Sequence, residues 1–113
     1  MKSFTKLVSI LLVLLLIAAN MPPALPSSFW GYTSGITAGQ TITAKIVNST
    51  SLASTTQAFT WNGLVVYAMN VTGVSSDEGK AITFKVNGVL VGMGTWHSGT
   101  NVRLDLSMLK KKR

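Results

Sequence analysis

The single histidine of this chain, His97, follows Trp96 in a glycine-rich turn, which makes the pair the first place to look for a reactive group. A catalytic triad needs a nucleophile, a histidine and an acid. Serines are plentiful, but none lies in a nucleophile-elbow pattern such as G-x-S-x-G. With one histidine and no cysteine, a zinc site would need carboxylates or a second chain. We therefore expect His97 to be a surface turn residue, and the chain to be no enzyme, with no catalytic residue, metal ligand or cofactor.

The three acidic residues are the other candidates for chemistry. Asp77 and Glu78 are adjacent in a Ser/Gly-rich loop, whereas a two-carboxylate hydrolase needs acids that converge across a cleft. They could contribute to a Ca²⁺ site, but Ca²⁺ takes about six to eight oxygen ligands, and the sequence has no Asp-rich ladder to supply them. We expect both side chains in a solvated turn. Asp105 lies on the last predicted strand, pointing away from its leucine neighbours toward water or Arg103.

Five aromatic residues could form a carbohydrate- or protein-binding surface, since exposed aromatic rings anchor interfaces: Phe29, Trp30, Tyr32, Trp61 and Trp96. A small core without disulfides also needs its large side chains for burial. We expect Tyr67, Phe84 and Trp96 in or against the core. Trp30 and Trp61 either pack in the core or at its rim or, as the alternative, stack against a ligand.

Two sequons give candidate modification sites. Asn48-Ser-Thr50 opens a Ser/Thr-rich loop, and Asn70-Val-Thr72 ends an apolar stretch. In an exported protein both asparagines are candidate acceptors of N-linked glycans.

The N-terminus has the pattern of an export signal. Lys2 and Lys6 precede an apolar run over residues 7–19, and three prolines follow in a short linker. A membrane-spanning helix takes about 20 apolar residues, so this shorter run favours a signal peptide. We assign residues 1–26 to the signal and linker. An uncleaved anchor formed by residues 4–20 is the alternative.

The net charge of +7 lies mainly at the two ends of the chain. Two lysines belong to the signal, and residues 110–113 form a basic tail, "KKKR". The remaining body has four basic and three acidic residues, so nucleic acid is not an expected partner. The tail could bind an anionic membrane only weakly. The absence of cysteine excludes disulfides and a lipid-anchored lipoprotein.

After the linker, the chain reads as short strands separated by turns. Residues 41–47, 82–86 and 101–108 alternate apolar and polar side chains, as half-buried strands do. Asn62-Gly63 and Asn87-Gly88 mark hairpin turns, because both positions tolerate positive φ. The pattern predicts an all-β domain over residues 27–108: an antiparallel β-sandwich of about seven short strands, preceded by a hydrophobic signal helix and followed by the tail, residues 109–113.

Five segments occur in an order that resembles a known group of small secreted repeats from archaeal and bacterial surface proteins. They read "FWGYTSG", "AGQTITAKIV", "GLVVYAMNV", "DEGKAITFKVNG" and "GTWHSGTNVRLDLSM". The group is similar to prealbumin-like or carboxypeptidase-regulatory-like β-sandwich domains. The chain departs from it at Gly79-Lys80, where relatives have Gly-Asp, in a longer middle loop, and in the basic tail.

The resemblance implies a non-catalytic module of the cell envelope with a structural or adhesive role, secreted or held at the cell surface. A carbohydrate-binding module that uses Trp30 and Trp61 is the first alternative. A weaker alternative is an accessory subunit or inhibitor in an envelope complex. The partners expected are other envelope proteins or glycans, with membrane contact only through the N-terminal segment or the tail.

Overall fold

The computed structural model of this protein describes residues 24–108, which form an all-β structure of nine strands and one short 3₁₀ turn at Ser75–Asp77. The strands are β1 Ser27–Ser34, β2 Thr41–Ile46, β3 Ser54–Gln57, β4 Phe59–Trp61, β5 Leu64–Val71, β6 Ala81–Val86, β7 Val89–Thr95, β8 Asn101–Arg103 and β9 Leu106–Ser107. The predicted signal helix and the basic tail lie outside the described residues. Within residues 24–108, no helix is long and apolar enough to cross a membrane.

The strands form two sheets. The first has the order β4-β5-β1-β8, with β9 also paired to β1, and the second has the order β3-β2-β6-β7. The second sheet is antiparallel throughout. In the first sheet, β1 is antiparallel to β5 but parallel to β8 and β9. The predicted all-β fold is confirmed, with two largely antiparallel sheets. The described residues form nine strands where about seven were expected, and β1 pairs in parallel with β8 and β9.

The core lies between the two sheets and follows the alternation of the strands. On β2 and β6, every second side chain is buried, as predicted. Phe29 of the first sheet meets Phe84 of the second edge-to-face, with ring centroids 5.2 Å apart. Trp96 is fully buried, and its Nε1–H donates to the carbonyl oxygen of Val71 at 2.9 Å. Tyr67 is buried as well, so the three predicted core aromatics are confirmed.

The two predicted Asn-Gly hairpins are confirmed. Asn62 and Gly63 have φ of 52° and 76°, and they join β4 to β5. Asn87 and Gly88 have φ of 50° and 77°, and they join β6 to β7. These are the backbone conformations that a two-residue hairpin turn of the favoured hand requires.

The last predicted strand, over residues 101–108, is broken in two. β8 and β9 are separated by Leu104 and Asp105, where the chain crosses closely over Gly31. A side-chain carbon on Gly31 would overlap the carbonyl oxygen of Leu104 and lie 2.8 Å from Asp105 Oδ1. The buried Tyr67 hydroxyl donates to the same Leu104 carbonyl. A single continuous strand was therefore the wrong expectation, because contacts with β1 and β5 fix the chain at this break.

Candidate functional site

An aromatic groove lies on the outer face of the first sheet. Opposite strand positions share a face, so the register aligns Val66 of β5 with Tyr32 on one side and Phe59 on the other. Trp30 stands on the same face of β1 and Trp61 on the same face of β4. The two strands therefore form aromatic walls along a floor of smaller side chains, Val66 and Ala68.

The groove has a volume of about 440 Å³. Its walls stand two strand spacings apart, about 9.5 Å between backbones. Trp30 is 41% exposed and Trp61 is 54% exposed. The two tryptophans singled out from the sequence thus line one groove, whereas Trp96 and Phe29 lie in the core. A slot with flat apolar walls can receive a planar or ring-shaped ligand.

An ion pair supports the β1 wall from the side away from β4. The Arg103 guanidinium carbon lies over the Trp30 ring at 5.6 Å from its centroid and over the Tyr32 ring at 4.9 Å. Asp105 holds that guanidinium through two hydrogen bonds, from Nε at 3.2 Å and from Nη2 at 3.1 Å. We call this pair the Arg103–Asp105 brace. The Asp105 carboxylate also accepts a hydrogen bond from the Tyr32 backbone N–H at 3.0 Å.

The electrostatics of the brace keep both groups ionised. The hydrogen bonds from Arg103 and the Tyr32 backbone lower the pKa of Asp105, and Asp105 raises the pKa of Arg103. Burial, with a smaller effect of the Asp105 charge, raises the pKa of Tyr67 well above its usual value. Tyr67 therefore remains a neutral hydrogen-bond donor to Leu104 beneath the brace.

Asp77 does not lie in a solvated turn, and this expectation is corrected. Its side chain is 1% exposed and accepts hydrogen bonds from Ser51 Oγ at 2.7 Å and from the Val74 backbone N–H at 2.9 Å. Lys80 Nζ lies 3.5 Å from the other carboxylate oxygen. Hydrogen bonds from Ser49 and Ser51 hold the pKa of Asp77 far below its usual range. The carboxylate ties the loop after β2 to the 3₁₀ turn, so its role is structural.

Glu78 is half exposed and contacts the other feature of interest, His97. The His97 Nδ1 forms a hydrogen bond with one Glu78 carboxylate oxygen, and the Ser98 backbone N–H donates to the other at 3.1 Å. The hydrogen bond from His97 is the main cause that lowers the pKa of Glu78. His97 is thus an exposed loop residue, while the neighbouring Trp96 faces the core. The Trp-His pair points to two opposite environments and does not form one site.

The two sequon asparagines are both exposed but lie on different elements. Asn48 is in the turn after β2 with φ of 56°. Asn70 lies on β5 opposite Ser28, whose hydroxyl donates to Asn70 Oδ1 at 2.6 Å.

Among residues 24–108, no three His, Asp or Glu side chains come together in a way that could hold a metal ion. No protein-family model, curated protein or solved structure matches this chain. The aromatic groove and its brace are therefore interpreted from their own geometry.

Sequence reasoning overlooked two members of this site, Phe59 and Arg103. Phe59 lies two residues before Trp61, directly ahead of the Asn62-Gly63 turn, so period-2 spacing could have placed both rings on one face. No local signal could have placed Arg103 beside Trp30, because their strands are far apart in sequence and pair in parallel.

Proposed function

We propose that this chain is an exported, non-catalytic β-sandwich module of the cell envelope that acts in adhesion by binding carbohydrate in the aromatic groove. The observation that carries the proposal is the groove itself, with exposed rings on both walls. Sugar rings have apolar faces that pack on aromatic rings, and tryptophan and tyrosine provide large contact areas with little loss of side-chain freedom.

The polar groups favour binding over catalysis. All three acidic side chains of the sequence are engaged in holding loops or the groove wall: Asp77, Glu78 and Asp105. A hydrolase would need a carboxylate directed into the groove, and the groove lining consists of aromatic and aliphatic residues. The groove therefore favours recognition of a ligand that leaves unchanged.

Two other functions remain as alternatives. A purely structural module would need no ligand, and an accessory subunit or inhibitor would place a protein partner on the same aromatic face. The structural module would bind no ligand and the accessory subunit would bind a protein. A panel of ligands therefore distinguishes both alternatives from carbohydrate binding.

The test is a binding assay of the folded chain against an array of glycans and insoluble polysaccharides. We expect retention that is lost in Trp61→Ala, since Trp61 is half exposed and forms one wall. The matched control is Leu52→Ala, because Leu52 is 85% exposed and outside the groove lining. Either of two results would refute the carbohydrate proposal: the wild-type chain binds no glycan, or the Trp61→Ala variant binds glycan as well as the wild-type chain does.

Export is tested separately by mass spectrometry of the native N-terminus. We expect a chain that has lost the apolar run and part of the linker before residue 27. Retention of Met1 on a membrane-bound chain would favour the anchor formed by residues 4–20 over a cleaved signal.

A further inference from the structure

One exposed polar residue continues the row of side chains that forms the groove floor. Along the outer face of β5, Val66 and Ala68 are followed by Asn70, two residues further on. Because side chains alternate along a strand, Asn70 faces the same side as Ala68. Asn70 is the acceptor asparagine of the second sequon.

The register places this asparagine next to an aromatic wall. Trp30 is paired with Ala68, so Asn70 is its diagonal neighbour across β1 and β5. Diagonal neighbours in an antiparallel pair stand about 7–8 Å apart, within reach of large side chains. The exposed Trp30 ring is therefore within reach of a group attached to Asn70.

The folded domain leaves room on the Asn70 amide for a substituent. The Ser28 hydroxyl donates to Asn70 Oδ1 at 2.6 Å, which fixes the oxygen toward β1 and leaves Nδ2 on the other side. None of the hydrogen bonds within residues 24–108 uses Asn70 Nδ2. An additional substituent on this nitrogen would thus break no protein hydrogen bond in the folded domain.

We propose that Asn70 carries an N-linked glycan whose first sugar packs on the Trp30 ring, at the end of the aromatic groove away from Trp61. This inference rests on the export that is part of the proposed function. The glycan covers the Trp30 end, while the Trp61 end, about 14 Å away along β5, remains open to an external ligand. The modification therefore limits the length of glycan that the groove accepts.

The chemistry of attachment is a glycosyl transfer from a lipid-linked sugar phosphate during translocation. A bond forms between Asn70 Nδ2 and the anomeric carbon of the first sugar. The bond between that carbon and the donor phosphate oxygen breaks, and the lipid phosphate leaves with the electron pair. The proton lost by the nitrogen is taken up by the departing phosphate, and no oxidant or reductant takes part.

Asn48 provides a matched control within the same chain. It belongs to the other sequon, is exposed, and lies in the turn after β2 on the second sheet. A glycan at Asn48 would have no groove aromatic beside it. The variants Asn48→Gln and Asn70→Gln thus each leave one sequon, only one of which lies next to Trp30.

The first experiment is translation of the full chain in the presence of microsomes. Protease then degrades chains left outside, and the mass of the chain protected inside the microsomes is measured. We expect the Asn48→Gln variant to gain one glycan at Asn70. Import into the microsomes without a glycan at Asn70 would overturn this inference and leave export intact. A chain that stays outside would refute export, and this inference with it.

The second experiment tests the contact with Trp30 on protein secreted by a glycosylating eukaryotic host. With a glycan only at Asn70, we expect Tm to rise by about 4 °C or more. The rise should disappear on enzymatic removal of the glycan and in Trp30→Ala, whose truncated side chain lies outside the core. A glycan only at Asn48 should change Tm by the same amount whether residue 30 is tryptophan or alanine.

Fluorescence gives an independent measurement of the same contact. In a Trp61→Phe background, Trp30 is the exposed tryptophan, since Trp96 is fully buried. The glycan at Asn70 should protect Trp30 from acrylamide quenching. Equal quenching with and without that glycan, or a Tm rise that persists in Trp30→Ala, would overturn the packing on Trp30.

Discussion

Replacing Asp77 by alanine should destabilise the domain more than any exposed substitution in the same loops. The carboxylate is 1% exposed and bridges the loop after β2 to the 3₁₀ turn, through Ser51 and the Val74 backbone. Alanine removes these two hydrogen bonds and the one from Ser49, and it leaves the Val74 N–H without its acceptor. Asparagine has nearly the same shape, so its oxygen can keep the hydrogen bonds from Ser51 and the Val74 N–H. Its uncharged NH2 group then faces Lys80 and does not attract the ammonium group.

The magnitude follows from these contacts. A hydrogen bond to a charged group contributes about 1.5–3 kcal/mol, and a buried donor left without a partner costs about 1–3 kcal/mol. We expect Asp77→Ala to lower the free energy of unfolding by about 3 kcal/mol and Asp77→Asn by about 1 kcal/mol. For a domain of this size, 3 kcal/mol corresponds to a fall in Tm of about 12 °C or more.

The lowered pKa of Asp77 determines how its contribution to stability depends on pH. The folded-state pKa of Asp77 lies far below the value of about 3.9 for an unfolded aspartate, so its contribution is complete above that value. It is lost as the pH falls from about 4 toward the folded-state pKa. The stability difference between the wild-type chain and Asp77→Ala should therefore be constant from pH 7 to 5 and narrow below pH 4.

The assay is urea unfolding followed by the emission of buried Trp96, at a series of pH values, with Leu52→Ala as the control in the same loop. Leu52 is 85% exposed, so its truncation should change stability by less than about 0.5 kcal/mol. Two results would refute the reasoning: an Asp77→Ala variant as stable as the control, or a stability difference that does not narrow below pH 4.

Three further substitutions test other parts of the fold. Trp96→Phe leaves the Val71 carbonyl without its donor and opens a gap, so urea unfolding should show a loss of about 2–4 kcal/mol. Gly31→Ala forces a methyl group against the Leu104 carbonyl. We expect the free energy of unfolding to fall by about 1–3 kcal/mol or more, or the chain to be insoluble. A variant as stable as the wild-type chain would contradict the close crossing at Gly31. Glu78→Gln removes a carboxylate whose pKa is lowered by the hydrogen bond from His97. At pH 7 the variant should have a lower Tm than the wild-type chain, and this difference should diminish as the pH falls below about 4. A deficit independent of pH would show that the charge of Glu78 does not contribute.

The parts of the fold that sequence predicted are those that depend on local pattern. Alternation over residues 41–46 and 81–86 fixes which side chains face inward, because successive side chains on a strand point to opposite faces. The two Asn-Gly turns follow from the positive φ that asparagine and glycine tolerate. These features require no knowledge of the rest of the chain.

The break between β8 and β9 could not be predicted in the same way. Val102, Leu104 and Leu106 keep a regular alternation, which is typical of one uninterrupted strand. The break arises from non-local contacts, because the chain crosses Gly31 and meets the hydroxyl of Tyr67. Parallel pairing of the first and last strands has no signature within either strand.

The burial of Asp77 was missed for a related reason. The segment around it is rich in serine and glycine, as in a solvated loop. Its burial depends on Ser51, which lies 26 residues earlier and donates to the carboxylate. A loop that is polar in sequence can thus be compact when its polar groups satisfy one another.

The fold does not require the exposed aromatic side chains of the first sheet. Phe29 faces the core and Trp30 faces outward, because successive side chains of β1 point to opposite faces of the sheet. A sheet that buries one face needs apolar side chains on that face alone, and its outer face is normally polar. Here β1 and β4 both present aromatic rings outward, and the Arg103–Asp105 brace positions two of them. Exposed apolar surface of this kind is uncommon on a soluble domain unless something binds it, so the outer face, rather than the Trp-His pair, is where a ligand should be sought.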